Sequence, residues 1–131
     1  MSIVNVLIAD DQAPFRKAAR AVVTMTPGFE VVGEAETGEA AVEMVEALEP
    51  NLVLMDIHLP GIDGIEAARR IAGTHPATLT FLISSYEAAD LPAEARSSGA
   101  AAYIHKEDFE ADLLRRLWDG RGDPAWRDGS S

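Results

Sequence analysis

The sequence predicts a three-layer α/β/α sandwich built on a five-stranded parallel sheet. Three observations carry this. Short, almost wholly apolar runs such as Ile3–Ala9 and Leu52–Met55 read as strands covered on both faces. Stretches with apolar residues at helical spacing alternate with them, each closed by Pro or Gly. At 131 residues the chain has the size of one domain.

The first strand is Ile3–Ala9, bounded by Asp10 and Asp11. A helix follows from Ala13 to Thr26, with Phe15, Ala18, Ala19, Val22 and Val23 on its apolar side, Pro14 in its first turn and Pro27-Gly28 as its stop. Phe29–Ala35 is the second strand. Glu39–Leu48 is the second helix, with Ala41, Val45 and Leu48 on one stripe, and Pro50 closes it. Leu52–Met55 is the third strand, followed by a loop with Pro60, Gly61 and Gly64 and a helix over Ile65–Ala72. Thr78–Ile83 is the fourth strand. An Ala-rich helix is expected over Pro92–Ser98, capped by Gly99, before a fifth strand at Ala101–Ile104. Asp108 is the expected cap of a last helix on which Phe109, Leu113 and Leu117 recur every fourth residue, with Arg115 and Arg116 toward its C-terminal end.

Strand-helix alternation demands right-handed crossovers between parallel strands. The expected strand order is 2-1-3-4-5, the flavodoxin-like arrangement. Ligands of such sheets sit beyond the carboxyl ends of the strands, where the order reverses between the first and third.

Composition narrows the function classes. With 47% hydrophobic and 25% charged residues the chain should fold as an ordinary globular domain. It has no cysteine, which excludes disulfides, thiolate metal sites and thiol nucleophiles. The opening apolar run is too short for a signal peptide or a membrane span, so the expected location is cytoplasmic, with no membrane partner. A formal charge of -11 should repel a phosphate backbone, which disfavours direct nucleic-acid binding.

The residues just past each strand converge on one sheet edge: Asp10 and Asp11, Asp56, Ser84 and Lys106. Each has an ordinary structural explanation. Asp11 could cap the first helix, Asp56 could belong to a turn, Ser84 could bond its own backbone, and Lys106 could be a solvated surface charge. Those explanations give no reason for the five to share one edge. Three carboxylates suit a hard cation such as Mg²⁺, which takes oxygen ligands and keeps waters that a phosphate can replace. A lysine and a hydroxyl suit the oxygens of a transferring phosphoryl group, which leaves Asp56 as nucleophile.

These motifs, in this order, resemble the receiver domains of bacterial two-component response regulators, over about Ile3 to Trp118. The acidic pair Asp10-Asp11, the segment Leu54-Met55-Asp56-Ile57 with Leu59-Pro60-Gly61 and Asp63-Gly64, and Lys106 carry the likeness. The resemblance implies that Asp56 is the phosphoacceptor, with Asp11, Asp56 and the His58 backbone carbonyl as direct Mg²⁺ ligands and Asp10 acting through water. It implies Ser84 and Tyr103 as the switch pair, and Ser85 and Tyr86 as neighbours that set the lifetime of the acyl phosphate. A sensor histidine kinase is the implied donor and a downstream protein the implied target, read by the face of the fourth helix, fifth strand and fifth helix. Homodimerisation on phosphorylation is a further expectation.

One departure stands out: the family's lysine is usually followed by a cis proline, whereas Lys106 precedes Glu107. A non-proline cis bond costs about 2.5–4 kcal/mol, so either isomer is open at this stage. Tyr103-Ile104-His105-Lys106-Glu107 is most similar to the LuxR/NarL-type subgroup, whose members carry a helix-turn-helix output domain. Residues 119–131 form a polar tail too small for one, so the chain reads as a stand-alone receiver or as the receiver half of a DNA-binding transcriptional regulator. Arg121-Gly122-Asp123 in this tail reads as a chance tripeptide, and Trp126 as an aromatic expected to dock onto the domain or a partner. A phosphohydrolase using Asp56 is the rival enzyme class, opposed by His58 where a general-acid Asp would be needed. A degenerate, unphosphorylated receiver is opposed by the intact acidic pair, Asp56 and Lys106.

Overall fold

The computed structural model describes residues 2–127. Five strands, β1 (Val4–Ala9), β2 (Phe29–Ala35), β3 (Leu52–Asp56), β4 (Leu79–Ser84) and β5 (Ala102–His105), pair in parallel in the order β2-β1-β3-β4-β5. The expected flavodoxin-like order is therefore the observed one. The reversal of order falls between β1 and β3, where Ala9 pairs with Met55 and leaves Asp10 and Asp56 side by side at the edge.

Alternation along each strand separates the two cores. Leu7, Val53, Met55 and Leu82 face α2 (Gly38–Leu48) and α3 (Gly64–Thr74). Val6, Ile8, Leu54, Phe81 and Ile83 face α1 (Ala13–Met25) and α4 (Ala111–Asp119). Each fully buried Leu or Ile on these faces contributes about 1.5–3 kcal/mol of hydrophobic stabilisation. The helical stripes are narrower than their spacing suggests. Ala19 and Val23 of α1 and Ala41 and Val45 of α2 are buried, whereas Ala18 is exposed and Leu48 is 45% exposed.

Two expected elements are corrected. Residues 92–98 are not an α-helix: the connection from β4 to β5 runs through two 3-10 turns, Ala88–Asp90 and Ala93–Ser98. Pro92 holds Leu91 extended, at φ -80° and ψ 150°, and so separates the turns. The remaining stretch before Gly99 is too short to repay helix nucleation. Ser97 and Ser98 hydroxyls also donate to the Glu94 and Ala95 carbonyls, which competes with an α ladder. Gly99, at φ 90°, ends the segment as expected.

Asp108 does not cap the last helix. It lies in a 3-10 turn, Lys106–Asp108, and α4 begins after Glu110, whose carboxylate accepts the Asp112 and Leu113 N–H groups at 3.1 and 2.7 Å. No peptide bond among the described residues is cis, so Lys106–Glu107 is trans, and His105 Nδ1 accepts the Glu107 N–H at 3.1 Å. Beyond α4 the chain does not trail off: a single helical turn, α5 (Pro124–Arg127), packs Trp126 against the domain at 4% exposure.

Candidate functional site: the carboxyl edge of the sheet

Four strand ends build the site, because in an all-parallel sheet every carboxyl end points the same way. Asp56 closes β3 and is 5% exposed. Its Oδ1 accepts the His58 N–H at 3.2 Å, and its Oδ2 lies 3.6 Å from Lys106 Nζ. Gly64 allows the chain to fold back here, since a Cβ at that position would overlap the Asp56 carbonyl oxygen.

Asp10 is 1% exposed. Its Oδ1 accepts the Gln12 N–H at 2.7 Å, and its Oδ2 is 2.8 Å from Lys106 Nζ. That oxygen is buried, with the Lys106 ammonium as its charged neighbour. Asp11 stands exposed at the mouth, and one carboxylate oxygen from each of Asp10, Asp11 and Asp56 falls within a 4.8 Å cluster. Lys106 is therefore nearer to Asp10 than to Asp56.

Burial pushes the Asp56 carboxyl above its ordinary range, and the negative Asp10 beside it pushes the same way. Lys106 and the His58 N–H oppose this without cancelling it. The edge thus holds concentrated negative charge that one lysine does not neutralise. An all-oxygen donor set, in which two carboxylates are buried and a third opens to solvent, fits a hard divalent cation.

Ser84 ends β4, fully buried, and its Oγ accepts the Tyr86 N–H at 3.1 Å. Tyr103, half-buried on β5, donates its hydroxyl to the Ser84 carbonyl at 3.2 Å and to the Tyr86 carbonyl. Burial raises its phenol above the usual range, with Glu87 and Asp56 adding to the effect. The exposed His58 and Tyr86 rings pack across the mouth with centroids 4.7 Å apart.

The structure brings together Asp10, Asp11, Asp56, the His58 backbone and Lys106, with Ser84 and Tyr103 joined as a second pair beside them. The sequence does not reveal the site contacts of three further residues. Phe15 lies 4.5 Å beneath Lys106 Nζ as a cation-π platform. Arg16 donates to the Asp10 carbonyl at 2.8 Å while pairing Glu34 at 3.1 Å, tying the Asp10 loop to α1 and β2. Trp126 stacks on Tyr103 with centroids 5.7 Å apart. A helical-periodicity reading assigns Phe15 to the core, and Arg16 carried no distinguishing signal; Trp126 was noticed, but nothing in the sequence named its partner.

An open parallel α/β sheet whose carboxyl edge gathers an acidic pair, a central aspartate and a lysine is the architecture of a signal-receiver domain. The response regulator receiver domain profile matches residues 6–117, and the chain belongs to that family, the CheY-like receivers of two-component systems. It is 35% identical over 111 residues to the transcriptional regulatory protein DegU of Brevibacillus brevis, covering 85% of this chain and 47% of that one. It is 41% identical over 110 residues to the transcriptional regulatory protein PdtaR of Mycobacterium tuberculosis, covering 84% of this chain and 53% of that one. The chain thus spans about half the length of these curated relatives. Among solved structures, the response regulator domain of Thermotoga maritima CheB superposes with a TM-score of 0.80 at 29% identity, covering 93% of this chain and 99% of that one. The signal receiver domain of Mycobacterium tuberculosis NarL gives 0.84 at 28%, covering 92% and 97%. No helix among the described residues is long and apolar enough to cross a membrane.

Proposed function

We propose that Asp56 accepts a phosphoryl group from the phosphohistidine of a sensor kinase and that the resulting charge re-sets the Ser84–Tyr103 pair. The observation that carries this is the position of Asp56: nearly buried, at the reversal point of the sheet, within 3.6 Å of Lys106 and clustered with Asp10 and Asp11. In the transfer an Asp56 carboxylate oxygen forms the new O–P bond, and the P–N bond breaks with its electron pair returning to the donor imidazole. Asp10, Asp11, Asp56 and the His58 backbone carbonyl would hold Mg²⁺, which when bound neutralises charge on the transferring oxygens.

The chain's own residues do the rest. Lys106 leaves Asp10 for the new phosphoryl oxygens, and the Ser84 hydroxyl turns to donate to them. The phosphoryl group carries a charge of about -1.5 to -2 in place of the carboxylate's own, and it moves that charge outward onto three acceptor oxygens. Tyr103, bonded to the Ser84 carbonyl, follows and alters the face of the 93–98 turn, β5 and α4 for a downstream protein. Turnover is limited to slow, water-dependent loss of the phosphoryl group, so the domain acts as an acceptor and switch in the cytoplasm.

The names of the relatives favour a second reading at the level of the whole protein, in which these residues are the receiver half of a transcriptional regulator. With a formal charge of -11, DNA contact would then fall to another domain. A reading frame continuing past Ser131 into a helix-turn-helix segment decides it.

The test is incubation with a small acyl phosphate and Mg²⁺, followed by intact mass. One phosphoryl adduct on wild type and none on Asp56→Asn is the expected result. An adduct that persists in Asp56→Asn refutes the assignment, as does none on wild type when a control receiver labels.

A further inference from the structure

The segment after α4 turns back onto the sheet. The Gly122 N–H bonds the Leu117 carbonyl at 2.8 Å and the Asp123 N–H bonds the Ala101 carbonyl at 2.9 Å, which aims α5 at the outer side of β5. Trp126 there lies over Tyr103, with the rings tilted by 31°. Arg96, from the 93–98 turn, places its guanidinium carbon 4.4 Å from the indole centroid and donates to the Trp126 carbonyl at 2.9 Å. A continuous line of contacts therefore runs from Ser84 through Tyr103 to Trp126 and Arg96.

Two features distinguish this contact from ordinary core packing. The indole N–H of Trp126 is buried with no acceptor among the described residues, a desolvation cost that undocking would relieve. A cavity of about 350 Å³, bounded by Leu91, Pro92, Ala93 and Arg96, lies against the same ring, so the indole has room to leave its seat.

We propose that the Tyr103 side of β5 is an interaction surface whose resident ligand is the chain's own Asp123–Arg127 segment, and that Trp126 works as a latch holding Tyr103 in its unphosphorylated position. This rests on the reading of Asp56 as phosphoacceptor. Lys106 Nζ is 2.8 Å from Asp10 and 3.6 Å from Asp56, so the contacts seen here belong to the unloaded site. Drawing Ser84 toward a phosphoryl group shifts the carbonyl that holds the Tyr103 hydroxyl, and Trp126 loses the ring face it covers. Contacts made only in the present arrangement favour that arrangement. Linkage then makes the coupling reciprocal: the latch weakens loading of Asp56 by the same factor as loading weakens the latch. The occupant is this chain's segment because it is already seated and because its short tether gives it a high effective concentration that a separate partner must overcome.

The test titrates the Mg²⁺-loaded full chain with fluoroberyllate, a phosphoryl mimic, reading bound fluoride by ¹⁹F NMR. Trp126→Ala should bind about threefold to tenfold more tightly than wild type, the range expected for losing one aromatic pair. Arg96→Gln, which keeps both rings, should shift affinity the same way by less. In a Trp118→Phe background, where Trp126 is the sole tryptophan, fluoroberyllate should make its emission more accessible to acrylamide. Equal or weaker binding by Trp126→Ala, or unchanged quenching, with wild-type binding intact, overturns the latch and leaves the Asp56 assignment standing. Absence of binding to wild type overturns that assignment and the latch with it.

Discussion

Asp56 carries opposing demands at the scale of a single residue. The fold buries a carboxylate beside Asp10, which raises its proton affinity above that of the unfolded chain. The folded state then takes up a proton over the window between the ordinary carboxylate range and the raised folded value. Stability linked to Asp56 is fully present below that window and lost as pH rises through it. Asparagine has the same shape and no charge to lose. In a chelator at neutral pH, Asp56→Asn should therefore unfold at higher urea than wild type, by roughly 1 kcal/mol, the usual size of a favourable single substitution. The gain should shrink as pH falls through that window and be gone below the ordinary carboxylate range. A variant less stable than wild type at neutral pH, or a gain that grows on acidification, would show that Asp56 is stabilised as an anion by the surrounding donors.

The same scale shows what a sequence can display. Asp10, Asp11, Asp56, Ser84 and Lys106 were legible because each follows an apolar run, and a parallel sheet collects such positions at one edge. Arg16 and Phe15 were not, because their contributions depend on α1 bringing them back over the Asp10 loop and Lys106. Trp126 was visible as an oddity, but its partner Tyr103 is far away in sequence and a polar tail carries no periodicity to place it.

Among elements, the strands were the most legible, since β1 and β3 are buried on both faces and read as unbroken apolar runs. The weakest reading was the connection between β4 and β5. Alanine favours helix over residues 92–98, but Pro92 and two back-bonding serines leave only 3-10 turns. The start of α4 was misplaced for a related reason. Asp108 is the stronger cap by residue type, yet the chain leaving Lys106 makes its own turn there and the helix is capped two residues later, by Glu110. The two caps are separable by experiment. Glu110→Ala should cost about 1 kcal/mol, since it strips the acceptor from two N–H groups of the first turn. Asp108→Ala should fall within about 0.5 kcal/mol of wild type, as for an exposed substitution away from a cap. Urea midpoints at constant m-value measure both, and the reverse ordering would place the helix start back at Asp108.

At the scale of the molecule, the net charge and the acidic edge act together. A chain with a formal charge of -11 concentrates buried negative charge where β1 and β3 meet, so a bound divalent cation should stabilise the whole fold. Binding to the folded state alone adds about 2.7 kcal/mol at a hundredfold excess over Kd. General screening of the surface cannot mimic this, because it acts on exposed charges and leaves the Asp10–Asp56 pair in its low-dielectric setting. Mg²⁺ should therefore raise the Tm of wild type well beyond NaCl of equal ionic strength, and chelation should reverse the rise. Asp11→Asn removes a ligand while leaving the buried pair in place, so it should lose most of the Mg²⁺ response with little change in its Mg²⁺-free Tm, Asp11 being exposed. A response to NaCl as large as that to Mg²⁺, or an Asp11→Asn variant that responds as wild type does, would mean that the acidic cluster is a solvated face, and the phosphoryl chemistry assigned to Asp56 would lose its electrostatic support.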